Sequence, residues 1–279
     1  MYRIGTTSYI LPADILANVE YLAPLVDDIE LVLFETPDHG GNLPDAALRK
    51  RLGALAAAHD LTFTVHLPLD LCVDFEASLQ EAQGRGSGGD AGLDADISLE
   101  RARRAIEATR ELAPFAYVAH LDGRGLIGRG EGNREQQLGR WQEGAYKALK
   151  LVSGWLDDPA LLCVENLEAW DPAAFAPVID ALPVSRTIDI GHFWLNGEDP
   201  MHHLVRWIGR TRVVHMHGVA ERDHVSLSHV SPERLDPVLG YLAEQFSGVL
   251  TLEVFSEPDL QTSLAALKSS PARTGPRKD

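Results

Sequence analysis

The sequence predicts an α/β protein built as a single-domain (β/α)8 barrel. Short apolar runs alternate with longer amphipathic segments eight times, and the composition does not change along the chain. The length of 279 residues suits this fold, because such barrels occupy about 250 residues as one domain. A doubly wound open sheet is the alternative, but no glycine-rich dinucleotide fingerprint follows any strand. These observations favour a TIM barrel.

The predicted strands are rich in Val, Ile, Leu and Phe and are bounded by Gly, Pro or Asp. They are Tyr2–Ser8, Ile29–Glu35, Thr62–Leu67, Phe115–Leu121, Leu161–Glu165, Arg186–Ile190, Arg212–His217 and Val249–Phe255. The predicted helices between them have apolar periodicity, and Ser98 is a plausible N-cap for one of them. They are Ala13–Leu25, Leu43–Asp60, Ser98–Leu112, Asn133–Leu156, Pro172–Leu182, Pro200–Ile208, Ser231–Phe246 and Pro258–Lys268.

Two stretches depart from this alternation. Leu71–Ile97 forms a long, glycine-rich insert after strand three, where we expect a lid or substrate flap, since the active site of a barrel lies at that face. The stretch 269–279 is rich in Ser, Pro and basic residues, and we expect a disordered tail. The barrel domain is therefore predicted to span residues 1–268.

Composition restricts the partners. The net charge of −16 disfavours a nucleic-acid backbone as ligand, because neutralising phosphates requires a basic surface. We expect Cys72 and Cys163 to be reduced, and no apolar run approaches the length of a membrane span. With no charged-then-apolar leader at the N-terminus, a cytoplasmic protein without a membrane partner is predicted. The oligomeric state stays open.

Imidazole and carboxylate side chains recur where the predicted strands end. They are His66, His120, Glu165, Asp189 with His192, His217, and Glu253. The carboxyl ends of barrel strands converge on one mouth, so these groups are expected to lie close together. Burying one such group without a partner costs several kcal/mol, and bound divalent ions would compensate that cost. The sequence therefore predicts a metal centre.

The kinds of side chain limit the chemistry. Imidazole nitrogens and carboxylate oxygens suit Zn²⁺, the first expectation, or Mn²⁺, and a carboxylate can bridge two ions. No set of thiolates indicates a zinc finger, and no Gly-x-Ser-x-Gly elbow indicates a serine hydrolase. His215 and His217 lie two apart and share a strand face. We favour His217 as the ligand because it is closer to the end of the strand.

Three motifs resemble those of the xylose-isomerase-like barrels, a superfamily that includes the AP endonuclease family 2 enzymes. They are Asp189-Ile-Gly-His192, Val213-Val-His-Met-His217, and Arg222-Asp223-His224 in the loop that follows. The resemblance implies two to three divalent ions. His66 and His120 would hold one and share Glu165 as a bridge with a second, which Asp189, His217 and Glu253 complete. His192, Asp223 and His224 would hold a third.

Two departures concern that third ion. Asp223 and His224 are adjacent, whereas the nucleases of the superfamily separate the equivalent pair by one residue. Ser228-His229 stands where the superfamily typically has a glycine, and His229 could substitute as a ligand. Isomerases and epimerases of the superfamily typically keep only the central ligands, so the outer histidines favour phosphoester hydrolysis.

The N-terminal stretches Ile4–Leu16 and Val26–Glu35 resemble the cobamide-remodelling phosphodiesterases of this superfamily. This resemblance implies a small-molecule corrinoid substrate of the vitamin B12 type, hydrolysed at the phosphodiester of its nucleotide loop. The alternatives are a sugar isomerase or epimerase, an abasic-site endonuclease, and a metal-free binding protein.

Under this hypothesis, Glu165 bridges the ions and Glu253 orients the nucleophile. Arg124 and Arg222 are candidates to clamp a phosphate oxygen, with a solvated loop as the alternative for both. Glu35 could support a metal-bound histidine or face solvent. Trp194, with Trp170 and Phe193, is a candidate to line a pocket for a flat macrocycle, with core packing as the alternative.

Overall fold

The structure is a computed structural model, and it describes residues 1–36, 40–68, 91–123 and 132–271, with residues 36 and 91–97 described by their backbone alone. Arg124 and most of the predicted lid therefore lie outside the described residues, as do residues 272–279 of the predicted tail. The predicted insert ends earlier than expected, because a helix already begins at Ala91. Ala and Leu in this stretch are good helix formers, which accounts for the earlier start.

Eight parallel strands close into one barrel, which confirms the predicted fold. The barrel strands are β1 (Arg3–Thr7), β2 (Asp28–Val32), β5 (Thr62–His66), β6 (Ala116–Ala119), β7 (Leu162–Glu165), β8 (Ser185–Asp189), β9 (Thr211–Met216) and β10 (Val249–Leu252). Around the barrel their order is β1-β10-β9-β8-β7-β6-β5-β2, so barrel strands that are neighbours in sequence are also neighbours in space.

Nine described helices surround or cap this barrel. They are α1 (Ile15–Leu22), α2 (Ala46–His59), α3 (Ala91–Thr109), α4 (Arg134–Ser153), α5 (Pro172–Asp180), α6 (Ile190–Leu195), α7 (Pro200–Trp207), α8 (Pro232–Gln245) and α9 (Glu257–Ser269). Side-chain caps fix many of their starts; Asn133, for example, forms a reciprocal capping box with Gln136. The short α6 was not predicted, because it follows β8 without a linker. No described helix has the length and apolar character needed to cross a membrane.

The apolar residues form two separate cores. The larger core lies between the strands and the helices, and the smaller one comprises Ala116, Val118, Cys163 and Val213. Since side chains alternate along a strand, these four share the inward face with His215 on β9 and Glu165 on β7. Below the strand ends, the barrel interior thus contains these apolar residues together with the buried Thr64, Thr187 and Thr251, which share strand faces with His66, Asp189 and Glu253.

The second predicted strand extends too far toward the C-terminus. β2 ends at Val32, and Glu35 instead belongs to a short antiparallel ribbon of β3 (Glu35–Thr36) and β4 (Gly40–Gly41). The Asn42 side chain causes this break. Its amide nitrogen donates to the Val32 carbonyl at 2.8 Å, and its oxygen accepts from the Phe34 amide at 2.8 Å.

Candidate metal centre

The barrel brings the strand-end imidazoles and carboxylates together. They form three groups whose potential ligand atoms all lie within 4.8 Å of one another inside each group. The groups are His66, His120 and Glu165 (the first group); Glu165, Asp189, His215 and Glu253 (the central group); and His192, His217 and His224 (the third group). Of the predicted ligands, Asp223 belongs to none of these groups, and neither does His229, the possible substitute.

Glu165 connects the first and central groups through its two oxygens. Its Oε2 lies 3.5 Å from His66 Nε2 and 3.3 Å from His120 Nε2. Its Oε1 lies 3.2 Å from His215 Nδ1, on the other side of the carboxylate. A carboxylate with one oxygen directed to each group has the geometry needed to bridge two ions.

The central group is closed by β8, β9 and β10. His215 Nδ1 lies 3.2 Å from Glu253 Oε2 and 4.0 Å from Asp189 Oδ2, and all three residues are buried. We favoured His217 for this group, whereas the structure brings His215 to the central carboxylates and leaves His217 Nε2 3.5 Å from Asp189 Oδ1. β9 pairs with β8 so that His215 lies beside Asp189, which puts His215 at the depth of the central carboxylates.

His217 lies two residues further along the same face and belongs to the third group. The rings of this group are packed together, with centroid separations of 5.5 Å between His192 and His217, 5.8 Å between His192 and His224, and 4.1 Å between His217 and His224. The third group is therefore made of three imidazoles, and Asp223 stands outside it. Its Oδ1 lies 3.3 Å from Nδ1 of His224, on the outer edge of that ring.

Three histidines are oriented by backbone carbonyls. Their Nδ1 atoms contact carbonyl oxygens as follows: His66 with Leu67 at 2.8 Å, His192 with Asn166 at 2.9 Å, and His217 with Gly218 at 3.0 Å. His217 Nδ1 also accepts the amide N–H of His224 at 3.0 Å, whereas in His66 and His192 an Nδ1–H donated to the carbonyl leaves the Nε2 lone pair free and directed into the site. This is how proteins commonly orient histidines that bind metal ions.

Two polar residues that the sequence analysis missed support the site. The Asn166 side chain spans β7 and β8, since its amide nitrogen donates to the Asp189 carbonyl at 3.0 Å and its oxygen accepts from the Asp189 amide at 2.9 Å. Glu30 Oε2 lies 2.9 Å from Nε2 of His215. A glutamate between Ile29 and Leu31 in a buried strand was the available signal for Glu30.

Unpartnered buried atoms test whether this site fits metal ions. Among the described residues, Glu165 Oε2, Asp189 Oδ2, Glu253 Oε2 and His217 Nε2 are buried and make no hydrogen bond. Buried polar atoms are almost always satisfied, so four such atoms within one site are available to bind a ligand. All four belong to the three groups, and all are oxygen or imidazole donors. The donor set therefore fits divalent ions.

The charges of the site shift its pKa values strongly. Burial alone would lower the pKa of His66, but its contact with Glu165 and the nearby charge of Glu30 raise this pKa to about 9. Burial likewise opposes the ionisation of Glu165, yet the surrounding His215 and His120 hold its pKa well below the usual range. The pKa of His224 is also raised to about 9, against burial, mainly by contact with Glu253.

The other predicted site residues have different surroundings. Glu35 pairs with Arg104 of α3 at 2.9 Å, which is neither of the roles predicted for it. Arg222 is well exposed, and its guanidinium lies 3.4 Å from Asp259. Trp194 is buried beneath the guanidinium of Arg234, 5.5 Å from the ring, which favours the packing alternative.

A closed parallel barrel with imidazole and carboxylate groups at its mouth has the architecture of a metal-dependent barrel protein. The family model described as "Xylose isomerase-like TIM barrel", of the AP endonuclease 2 family, matches residues 26–270. The chain belongs to this family, as the motifs at β8 and β9 predicted. No curated protein has a matching sequence.

Solved structures of several proteins share the fold. A D-psicose 3-epimerase from Clostridium cellulolyticum, crystallised with D-tagatose, has a TM-score of 0.67 at 14% identity, covering 96% of this chain and 98% of the other. Endonuclease IV from Thermus thermophilus has a TM-score of 0.63 at 21% identity, covering 96% and 100%. A further Thermus thermophilus protein, TTHB071, soaked with ZnCl2, has a TM-score of 0.60 at 19% identity, covering 96% of each chain. At these identities the likeness concerns the fold.

Proposed function

We propose that the protein is a metal-dependent phosphodiesterase that hydrolyses the nucleotide-loop phosphodiester of cobamides. The observation that carries the proposal is the presence of complete histidine groups on both sides of the central group. Isomerisation needs only the central ligands, whereas three neighbouring groups suit a phosphate, whose attacking and leaving oxygens both require stabilisation. The corrinoid substrate rests on the resemblance of the N-terminal stretches.

Divalent ions held at these groups would polarise the phosphate and lower the pKa of a water to about 7. Glu165 would be shared between the ion of the first group and the ion of the central group. Glu253 is placed to orient the nucleophilic water, since its Oε2 lies 3.2 Å from His215 and 3.5 Å from His224, between the central and third groups. His66 and His192 would keep their Nε2 lone pairs directed inward through the carbonyl contacts of Nδ1.

The third group would hold its ion with His217 in place of an aspartate. Asp223 then acts on the outer nitrogen of His224 instead of binding the ion directly. Three imidazole nitrogens suit Zn²⁺, and the oxygen-rich central group also suits Mn²⁺. We propose two to three ions for each chain on this basis.

Cobalamin incubated with the pure protein and either Zn²⁺ or Mn²⁺ tests the proposal. Chromatography should detect a corrinoid that has lost its base and the separated nucleotide-loop fragment. Glu165→Gln should abolish this activity, because it removes the bridging charge, while the exposed Glu244→Gln should leave it unchanged. Cobalamin that stays intact after long incubation with each metal would contradict the proposal.

A sugar epimerase is the second candidate, since the central group is complete by itself and a D-psicose 3-epimerase shares the fold. His66→Ala and His192→Ala discriminate the two functions because they leave the central group intact. An epimerase should keep most of its activity in both variants. The hydrolase should lose about 100-fold or more, as expected for removing a ligand of a multinuclear site. Salt-dependent cleavage of abasic DNA would instead indicate an endonuclease.

A further inference from the structure

The exposed aromatic side chains are concentrated at one part of the barrel mouth. Among the described residues, three aromatic side chains are exposed: Tyr9 at 51%, Phe255 at 39% and Phe34 at 37%. Each follows the end of a barrel strand by two or three residues: Tyr9 after β1, Phe34 after β2 and Phe255 after β10. All three therefore lie at the carboxyl ends of strands, where the metal centre lies.

These three strands are consecutive around the barrel. β10 pairs with β1 and β1 pairs with β2, so the aromatic residues line one continuous arc of the mouth. The arc reaches the third group, because the ring of Phe255 lies 5.4 Å from the ring of His224. We call Tyr9, Phe34 and Phe255 the aromatic arc.

A cavity of about 350 Å³ opens between the two far members of the arc. Tyr9 and Phe34 form part of its lining, together with the apolar side chains of Ile15, Leu43 and Leu48. Its volume lies at the lower end of the range for small-molecule sites, which are mostly apolar with a few polar groups. The polar atoms here come from Ser8, Asn42 and the N-cap carboxylates Asp14 and Asp45.

Single exposed apolar residues are common on protein surfaces and require no explanation. Three exposed aromatic rings that follow the ends of adjacent strands, at the mouth that carries a cluster of buried charges, are a different case. A ligand that covers them would remove their remaining apolar surface from water, which is favourable in proportion to the area covered. Aromatic rings recognise other flat rings through offset or edge-to-face packing, at centroid separations of about 4.5–7 Å.

We propose that the aromatic arc binds a flat ring system of the substrate while the metal centre acts on the attached phosphodiester. This inference rests on the proposed function and adds the part of the substrate that the protein recognises. The two possible sources are the corrin macrocycle and the aromatic base of the nucleotide loop. The arc replaces Trp170, Phe193 and Trp194 as ring-binding candidates, because those three side chains are buried.

Equilibrium dialysis with two probes tests the proposal. Cobinamide carries the corrin ring without the base, and 5,6-dimethylbenzimidazole riboside carries the base without the corrin. Each is measured against the wild-type protein, the double variant Tyr9→Ala/Phe34→Ala, and Leu151→Ala. Leu151 is the matched control, because it is 41% exposed but lies on α4, away from the strand ends.

We expect the double variant to bind one of the two probes at least about tenfold more weakly, while Leu151→Ala binds like the wild type. The probe that loses affinity identifies the ring. Equal affinity in all three proteins, or no binding of either probe to the wild type, would contradict ring binding by the aromatic arc even if cobalamin is cleaved. If the double variant binds a probe more weakly but the wild type leaves cobalamin uncleaved, ring binding by the arc is supported and the phosphodiesterase activity is rejected.

Discussion

His215 Nε2 lies 2.9 Å from Glu30 Oε2, and both side chains are completely buried. The opposite nitrogen, Nδ1, faces the carboxylates of Glu165 and Glu253. The pair thus has the form of a carboxylate–histidine–metal arrangement, in which the carboxylate of Glu30 fixes the orientation and the tautomer of the His215 ring. β2 contributes no residue to the three groups, yet through Glu30 it orients the central one.

Glu30→Gln should weaken metal binding at the central group by about 10- to 100-fold, because the neutral amide no longer fixes and polarises His215. Competition with a chromophoric chelator measures this affinity directly. Glu244→Gln, on the exposed face of α8, provides a control with the same change of charge. The interpretation of Glu30 as a positioning residue fails if the two variants bind metal equally well.

His215→Ala and His217→Ala should have different effects, because the two imidazoles belong to different groups. Loss of His215 should remove the central ion and abolish activity. Loss of His217 should lower the metal content by one ion and leave the first and central groups occupied. Elemental analysis of the purified variants gives the ion count for each chain, and metal titration shows which group has lost its ion. Identical metal titrations of both variants would show that the groups do not act separately.

Metal affinity should rise with pH up to about 9. In the metal-free protein the pKa values of His66 and His224 are both raised to about 9, so both rings carry a proton at pH 7. Each raised pKa favours the folded metal-free protein below the unfolded pKa of about 6.5, and this contribution is lost as the pH rises through 9. Metal affinity depends on pH in the opposite direction: it increases as the pH rises, because the ion must displace those protons.

Calorimetry in buffers of different ionisation enthalpy counts the protons released by metal binding. We expect more than one proton per chain at pH 7 and fewer at pH 9.5. His66→Ala should reduce the count at pH 7, since it removes one of the protonated rings. A release that does not change with pH would contradict the raised pKa values.

The sequence predicted the barrel and the kinds of ligand because both depend on local patterns: strand–helix alternation, and polar groups where apolar runs end. Local patterns could not predict which of His215 and His217 belongs to the central group and which to the third group. Both share one strand face, and their depth depends on the pairing of β9 with β8. Glu35 was misplaced for a similar reason, since the end of β2 depends on the Asn42 side chain, ten residues beyond Val32.

The glycine of the Asp189-Ile-Gly-His192 motif has a specific role that the structure explains. A Cβ added at Gly191 would overlap the imidazole of His217. Gly191→Ala should therefore displace His217 and remove the third ion, while the central group keeps its own. Elemental analysis and a denaturant unfolding curve measure the two effects. Gly209→Ala is the control, because a Cβ there contacts nothing within 4 Å. If Gly191→Ala retains the full metal content, His217 does not bind the third ion.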